Sequence, residues 1–205
     1  MPKITAITAQ EKNKDRCNIF IDGEFYAGVN LETMMKLRLK VGDEVTESKL
    51  KETLEESEQL SATEKAFTYI SKAPKTKWQV KDYLIGKGYS ESASWNAVDK
   101  LKEYGYIDDE EYAKRFIEST GKTQGKLLLS YKLMAKGVKK EDIETAYAES
   151  GGSAKENAKA LAEKRMRNKE KTKENILKTY KYLLSRGFSF DEAEEAVRQF
   201  KEEED

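Results

Sequence analysis

The spacing of apolar residues changes along the chain and divides it near residue 60. Before that point, Arg16–Ile21 and Phe25–Val29 are rich in β-branched and aromatic side chains, and Asp22-Gly23 lies between them. An Asp-Gly pair between two such runs is typical of a hairpin with a type I′ turn. Lys3–Gln10 is a candidate third strand. The pattern therefore predicts a small antiparallel sheet at the start of the chain.

The sheet is expected to lead into helices. A two-residue hairpin loop would pair Phe20 with Phe25 and Ile19 with Tyr26 across the strands. Asn30 should cap a short helix that reaches Leu37. After a turn at residues 40–45, an acidic helix is expected to end near Gln59.

Beyond residue 60 the apolar spacing is that of amphipathic helices, and a longer period is superimposed on it. The segments LIGKGY, LMAKGV and LLSRGF place glycines at positions 88, 137 and 187, about 50 residues apart. An alanine follows each glycine by nine residues, and a leucine precedes each glycine by four. We infer three copies of one structural unit.

Gly88, Gly137 and Gly187 are predicted to end helices. A glycine readily adopts the left-handed conformation of a Schellman cap, in which apolar residues at C3 and C″ touch. Leu84 and Tyr89 occupy these places around Gly88, and the other two copies have the same arrangement. We therefore assign the three glycines a structural role.

Each copy is expected to contain three helices, because capping residues stand three positions before a Glu or Gln. These pairs are Ser61/Glu64, Thr76/Gln79, Asp108/Glu111, Ser153/Glu156 and Ser189/Glu192. The expected helices span residues 62–72, 76–87, 91–104, 109–119, 124–136, 140–150, 154–169, 173–186 and 190–201. Trp78, Tyr83 and Trp95 lie close to apolar stripes and are expected in the core.

These elements predict a mainly α protein of three tandem three-helix, helix-turn-helix-like repeats, forming an elongated curved array behind a small β-hairpin or three-stranded sheet with helices. The expected divisions are residues 1–60 for the N-terminal part and 61–107, 108–152 and 153–205 for the three repeats.

Composition narrows the chemistry. The chain has 38 basic and 38 acidic residues, one cysteine and no histidine. An internal disulfide is excluded, and the usual metal ligand and neutral-pH proton carrier are missing. Residues 121–123 resemble the end of a phosphate-binding loop, but Phe116 stands where that loop needs glycine. We expect no enzyme activity, no cofactor and no bound metal.

No apolar run reaches the 18 or more residues of a membrane span, and the first ten residues lack the pattern of a signal peptide. The sequence therefore favours a cytoplasmic protein without a membrane partner.

Local clusters of basic residues remain as candidate binding sites. Residues 155–173 hold eight basic side chains against three acidic ones. Such clusters bind phosphates or an acidic protein surface, although they also occur on solvated helix faces. The candidate binding residues are Arg115, Lys122, Lys126, Lys132, Lys164, Arg165, Arg167, Lys169, Lys171 and Lys173.

The ordered motifs resemble those of the RecX family, bacterial modulators of the RecA recombinase. The stretch LKEYGYIDDEEYA at 101–113 is similar to the junction between that family's first two repeats, and the three glycine-ended helices are similar to its repeated element. Where many relatives carry an arginine-rich segment, this chain has Lys72–Thr76. Lysine there cannot form the bidentate contacts of arginine.

The resemblance implies a monomeric regulator in homologous recombination, DNA repair and the SOS response. Such a protein would lie in the groove of the RecA–DNA filament, bridge protomers and modulate assembly, ATP hydrolysis and strand exchange, with inhibition as the usual direction. The resemblance also implies contact with single-stranded and double-stranded DNA. Two alternatives stay open: a stand-alone DNA-binding protein built from helix-turn-helix-like units, and a hydrolase using the acidic cluster at 108–111.

Overall fold

The computed structural model of the chain describes residues 1–11, 13–150 and 154–201. It contains two compact units, Met1–Asp108 and Asp109–Asp205. The predicted fold class is confirmed: a three-stranded sheet precedes three three-helix domains within the described residues.

The N-terminal sheet contains the strands β1 (Ile4–Ala9), β2 (Arg16–Ile21) and β3 (Glu24–Asn30), antiparallel and in that order. Asp22 and Gly23 join β2 to β3 with φ values of 49° and 91°. Both central residues of a type I′ turn need positive φ, so this turn is the predicted one.

The predicted hairpin register is correct at the turn and wrong one residue further on. Phe20 pairs with Phe25 as expected, but Ile19 pairs with Ala27 and not with Tyr26, because a bulge interrupts the ladder between Ile19 and Phe20. A bulge sets two residues of one strand against one of the other. The prediction assumed a regular ladder of pairs, because the spacing of residues in the sequence does not reveal a bulge.

Helix α1 (Leu31–Leu37) begins at the predicted cap, where the Asn30 side chain accepts a hydrogen bond from the backbone N–H of Glu32. Helix α2 (Glu47–Ile70) corrects the prediction that one helix ends near Gln59 and another begins after Ser61. No glycine or proline interrupts residues 47–70, so nothing stops the helix. Ser61 is buried within it, 3.0 Å from the Tyr89 hydroxyl.

The first repeat consists of the second half of α2 with α3 (Lys77–Gly86) and α4 (Glu91–Glu103). The capping box predicted at Thr76 is present. The core of the first repeat is formed largely by alanines, valines and leucines: Ala62, Ala66, Val80, Leu84, Ala93, Ala97, Val98 and Leu101.

The expectation that both tryptophans of the first repeat are core residues is wrong. Trp78 is 45% exposed and Trp95 is 40% exposed. Alanines fill the inner face of α4, which leaves no volume for an indole there. The Lys81 ammonium instead lies over the Trp95 ring, 5.9 Å from its centroid. Tyr83, the third aromatic residue expected in the core, is half-buried and stacks on Tyr69, with ring centroids 3.9 Å apart.

The second unit holds the other two repeats. Helices α5 (Asp109–Thr120), α6 (Lys126–Met134) and α7 (Lys140–Glu149) form one, and α8 (Ala154–Met166), α9 (Lys173–Ser185) and α10 (Phe190–Arg198) form the other. Ser189 begins α10 with its predicted capping box. The predicted cap Ser153 lies outside the described residues.

The equivalent leucine has the same environment in each repeat. Leu84, Leu133 and Leu183 are each fully buried, in three separate cores. The glycines four residues later, Gly88, Gly137 and Gly187, have φ values of 84°, 80° and 85°. The residue after each glycine donates its N–H to the leucine carbonyl, as in a Schellman motif.

The end of α9 is joined to the start of α6. The N–H groups of Gly125 and Leu127 donate to the carbonyls of Arg186 and Gly187, at 2.9 and 3.1 Å. Helix ends leave such groups unsatisfied, so the free donors of one helix meet the free acceptors of the other. This contact connects the second and third repeats.

Candidate basic interface in the second unit

All ten predicted binding residues lie in the second unit, where the structure separates them into two groups. Residues 164–173, called here the α8–α9 basic segment, run from the last turn of α8 to the first residue of α9. Lys164, Arg167, Lys169, Lys171 and Lys173 are exposed along it. The remaining predicted cations, on α5, α6 and the loop between them, form the second group.

The α8–α9 basic segment has a defined conformation. Thr172 caps α9, because its side chain accepts a hydrogen bond from the N–H of Asn175. The Asn175 side-chain amide donates back to the Glu170 carbonyl at 3.0 Å. The lysines are therefore displayed on an ordered connection and not on a long loose loop.

Arg165 is held differently from its neighbours. Its guanidinium carbon lies 4.1 Å from the Tyr182 ring centroid, and that of Arg186 lies 5.4 Å from the same ring. The Nε atoms of both arginines are buried, and neither has a hydrogen-bond partner among the described residues. Cation–π contacts with one ring orient both guanidinium groups. Arg186 was not among the binding residues predicted from the sequence.

Two lysines of the stretch 155–173 share one carboxylate, which offsets one of their two positive charges. Lys155 and Lys159 bind the two oxygens of Glu195 at 2.9 and 2.8 Å. Hydrogen bonds from Lys159 and Lys155 lower the pKa of Glu195 to about 2. Residues 164–173, with six basic side chains and one acidic one, are the most basic part of the stretch.

The second group does not form a single patch. Arg115 is paired with Glu111 at 2.7 Å, and Lys132 donates to the Gln124 side chain at 2.8 Å. Lys122 and Lys126 both line a cleft of about 420 Å³ formed by residues of α5, α6, α7 and α8. Two of the four predicted cations thus share a site.

An apolar stripe on α6 was missed by sequence reasoning. Leu127, Tyr131 and Met134 are 65%, 68% and 49% exposed, and their spacing places them on one face of the helix. Their periodicity is that of a core-facing stripe, so only the tertiary structure shows that the face is open. Exposed apolar side chains of this kind mark protein contact surfaces.

The described residues contain no group of three or more acidic, histidine or cysteine side chains that could hold a metal ion. Asp109, in the acidic cluster at 108–111, is buried at the start of α5, where acids complement the helix dipole. In the described part of the chain, no helix is long and apolar enough to cross a membrane.

Four family models match the chain in order. The Regulatory protein RecX N-terminal domain matches residues 2–46, and the first, second and third RecX three-helix domains match residues 62–101, 108–146 and 154–197.

Curated relatives match along almost the whole chain. A protein of Clostridium botulinum (strain Alaska E43 / Type E3) named Regulatory protein RecX is 37% identical over 97% of this chain and 96% of its own length. One of Clostridium beijerinckii with the same name is 36% identical over 97% of this chain and 95% of its own length. A protein of Bacillus licheniformis with the same name is 32% identical over 97% of this chain and 78% of its own length.

Two solved RecX structures have a fold similar to that of this chain. One described as the crystal structure of regulatory protein RecX has a TM-score of 0.65 and 26% identity, covering 97% of this chain and all of that one. RecX from Lactobacillus salivarius has a TM-score of 0.63 and 22% identity, covering 70% of this chain and 96% of that one, and supports the fold.

Proposed function

Since the chain belongs to the RecX family of regulatory proteins, we propose that it binds the groove of the RecA–DNA filament, bridges neighbouring protomers and modulates the filament. The proposed direction is inhibition of filament assembly, ATP hydrolysis and strand exchange. The protein would act in the cytoplasm, as a monomer and without catalysis of its own.

The observation that carries the proposal is the match of the N-terminal domain and all three three-helix domains, in order, to this one family. Two surfaces of the second unit support it. The α8–α9 basic segment suits the acidic side chains and phosphates of a nucleoprotein, and the apolar stripe on α6 suits a protein partner.

A regulator without its own energy source acts through differential binding. It shifts a filament toward the state that it binds more tightly, and by no more than the difference in affinity. Several weak contacts spread over neighbouring protomers supply such a difference, because each additional contact becomes intramolecular once the first has formed.

The direct test is the rate of ATP hydrolysis by RecA on single-stranded DNA, with this protein added well below the RecA concentration. We expect the rate to fall, and filaments seen by electron microscopy to shorten. Unchanged rate and filament length would contradict the proposal.

The alternative of a stand-alone DNA-binding protein is favoured by the Arg165 and Arg186 guanidinium groups stacked on Tyr182, since oriented arginines bind phosphates well. It requires tight binding to DNA without recombinase, with an affinity that falls steeply with salt. Weak DNA binding beside strong filament binding would reject this alternative and retain the regulator.

A further inference from the structure

The third repeat contains an open cleft of about 700 Å³ against α9 and α10. Its apolar wall is made by one face of α9 and the end of α10. The apolar lining residues are Ile176, Leu177, Tyr180, Val197 and Phe200. This cleft was not among the sites considered from the sequence.

The apolar wall is preformed and open. Ile176 and Val197 are buried in the core of the repeat, and Tyr180 and Phe200 pack partly against that core. Leu177 is 50% exposed. The cleft thus offers aromatic rings and an aliphatic side chain on a rigid support, which is the type of surface on which a flat apolar ring packs.

Charged residues give the cleft a positive balance. Among the described residues, Lys171, Lys173 and Lys201 line it together with one acid, Glu194. Lys201 lies 4.0 Å from Glu194, at the limit of an ion pair. Lys171 and Lys173 also belong to the α8–α9 basic segment, so that segment contributes two cations to the cleft.

We propose that this cleft binds an unpaired base of single-stranded nucleic acid, while the flanking phosphates lie on Lys171 and Lys173. The flat π face of a base, flanked by anionic phosphates, complements an apolar aromatic wall beside lysines. An acidic peptide would satisfy the lysines but would leave the aromatic wall uncovered. The six basic residues between positions 164 and 173 favour a strand over a free nucleotide, because a strand presents several phosphates in succession.

This assignment deepens the proposed function, since a recombinase filament contains a single strand, but it is tested without recombinase. Failure of the cleft assignment would leave filament regulation intact, and loss of filament regulation would not affect binding of the free strand.

The test compares two fluorescent 12-nucleotide strands in low salt, oligo(dT) and an abasic strand with the same number of phosphates, by fluorescence anisotropy. The full chain should bind oligo(dT) at least about fivefold more tightly, the range expected for a stacked base. Equal affinity for the two strands would overturn the proposal.

Two leucine variants locate the effect. Leu177→Glu places a carboxylate in the cleft, and Leu127→Glu makes the same change on α6, at a residue 65% exposed. We expect Leu177→Glu to abolish the preference for oligo(dT), and Leu127→Glu to retain it. Retention of the preference in Leu177→Glu, or its loss in both variants, would contradict the assignment.

A third variant keeps the test independent of apolar packing. Lys171 is exposed, so Lys171→Gln should leave the melting temperature unchanged. This variant should lower the affinity for both strands by a similar factor of roughly three, so the preference for oligo(dT) should remain. Tight binding of a fluorescent oligo-glutamate peptide that competes with oligo(dT) would instead identify a protein ligand and overturn the proposal.

Discussion

At the scale of single residues, three glycines meet different physical demands. Gly23 has positive φ in open space. Gly125 has an ordinary φ of −79°, but a Cβ there would overlap the Gly187 carbonyl group. Gly187 combines both demands, because its φ is 85° and an added Cβ would overlap the Leu128 Cβ. Substitutions at Gly23 and Gly125 therefore test backbone strain and close approach separately, and a substitution at Gly187 tests both together.

Replacing each of these glycines with alanine should give a graded loss of stability. Gly23→Ala should cost about 1–2 kcal/mol from the left-handed backbone alone, and Gly125→Ala about 1–3 kcal/mol from crowding alone. Gly187→Ala should cost more than either, because it incurs both penalties. Urea unfolding measures the free energies, and a Gly187→Ala variant as stable as Gly23→Ala would refute the close contact.

Glu195 is the residue whose ionisation bears most directly on the third repeat. Lys159 and Lys155 hold its pKa at about 2, below the usual 4.5 of a glutamate. The folded protein therefore gains stability from this carboxylate above pH 4.5, and loses that contribution as the pH falls toward 2.

We expect Glu195→Gln to remove this part of the acid sensitivity. The melting temperature of the wild type should fall more steeply than that of the variant as the pH falls from 4.5 to about 2. Glu194→Gln is the matched control, because Glu194 is the neighbouring carboxylate and lies 4.0 Å from Lys201, at the limit of an ion pair. Parallel curves of melting temperature against pH for the wild type and Glu195→Gln would contradict the assigned contacts of Glu195 with Lys155 and Lys159.

At the scale of elements, the connection from α8 to α9 concentrates the charge. Lys164 lies in the last turn of α8, Arg167 follows that helix, and both are exposed. Cations at a helix C-terminus complement its dipole, so their placement also has a structural benefit. A test of binding must therefore separate the two roles.

The variant Lys164→Glu/Arg167→Glu should weaken inhibition of the RecA ATPase by roughly tenfold, since it reverses two charges of the proposed interface. Lys100→Glu/Lys102→Glu is the matched control, because these exposed lysines occupy the last turn of α4. Both variants should lose similar stability, as judged by thermal melting. Equal inhibition by both variants would place the interface elsewhere.

At the scale of the whole molecule, the chain divides into the units Met1–Asp108 and Asp109–Asp205. The sheet and the first repeat share one unit, where the Arg16 side chain donates to the Gly88 carbonyl at 2.6 Å and Asn30 donates to that of Lys87 at 2.7 Å. The second and third repeats share the other, through the contact between α6 and α9. Each unit thus contains the partners of its own helix ends.

Residues 1–108 and 109–205 should each fold when produced separately, with circular dichroism spectra that add up to that of the whole chain. Neither fragment, nor their mixture, should inhibit RecA at the concentrations where the whole chain does, because avidity is lost when the units are unlinked. Full inhibition by one fragment would show that a single unit is sufficient.

The sequence by itself determined the repeat, its glycine caps and the sheet. A glycine that must adopt positive φ, a leucine four residues earlier and an Asp-Gly turn are local requirements, and local requirements are visible in a linear pattern. The order of these motifs was also enough to indicate the family. The same local reasoning selected the lysines of the α8–α9 basic segment as binding residues, and this stays a prediction.

Only the tertiary structure decided which residues meet. Helical periodicity marks a stripe without showing what covers it, so Trp95 was expected inside and lies partly outside, and the face of Tyr131 was not recognised as open. The stacking of Arg165 and Arg186 on Tyr182 joins residues from the ends of two helices. Such proximity depends on how the helices pack, and packing is set by the volumes of distant side chains and not by their spacing in the sequence.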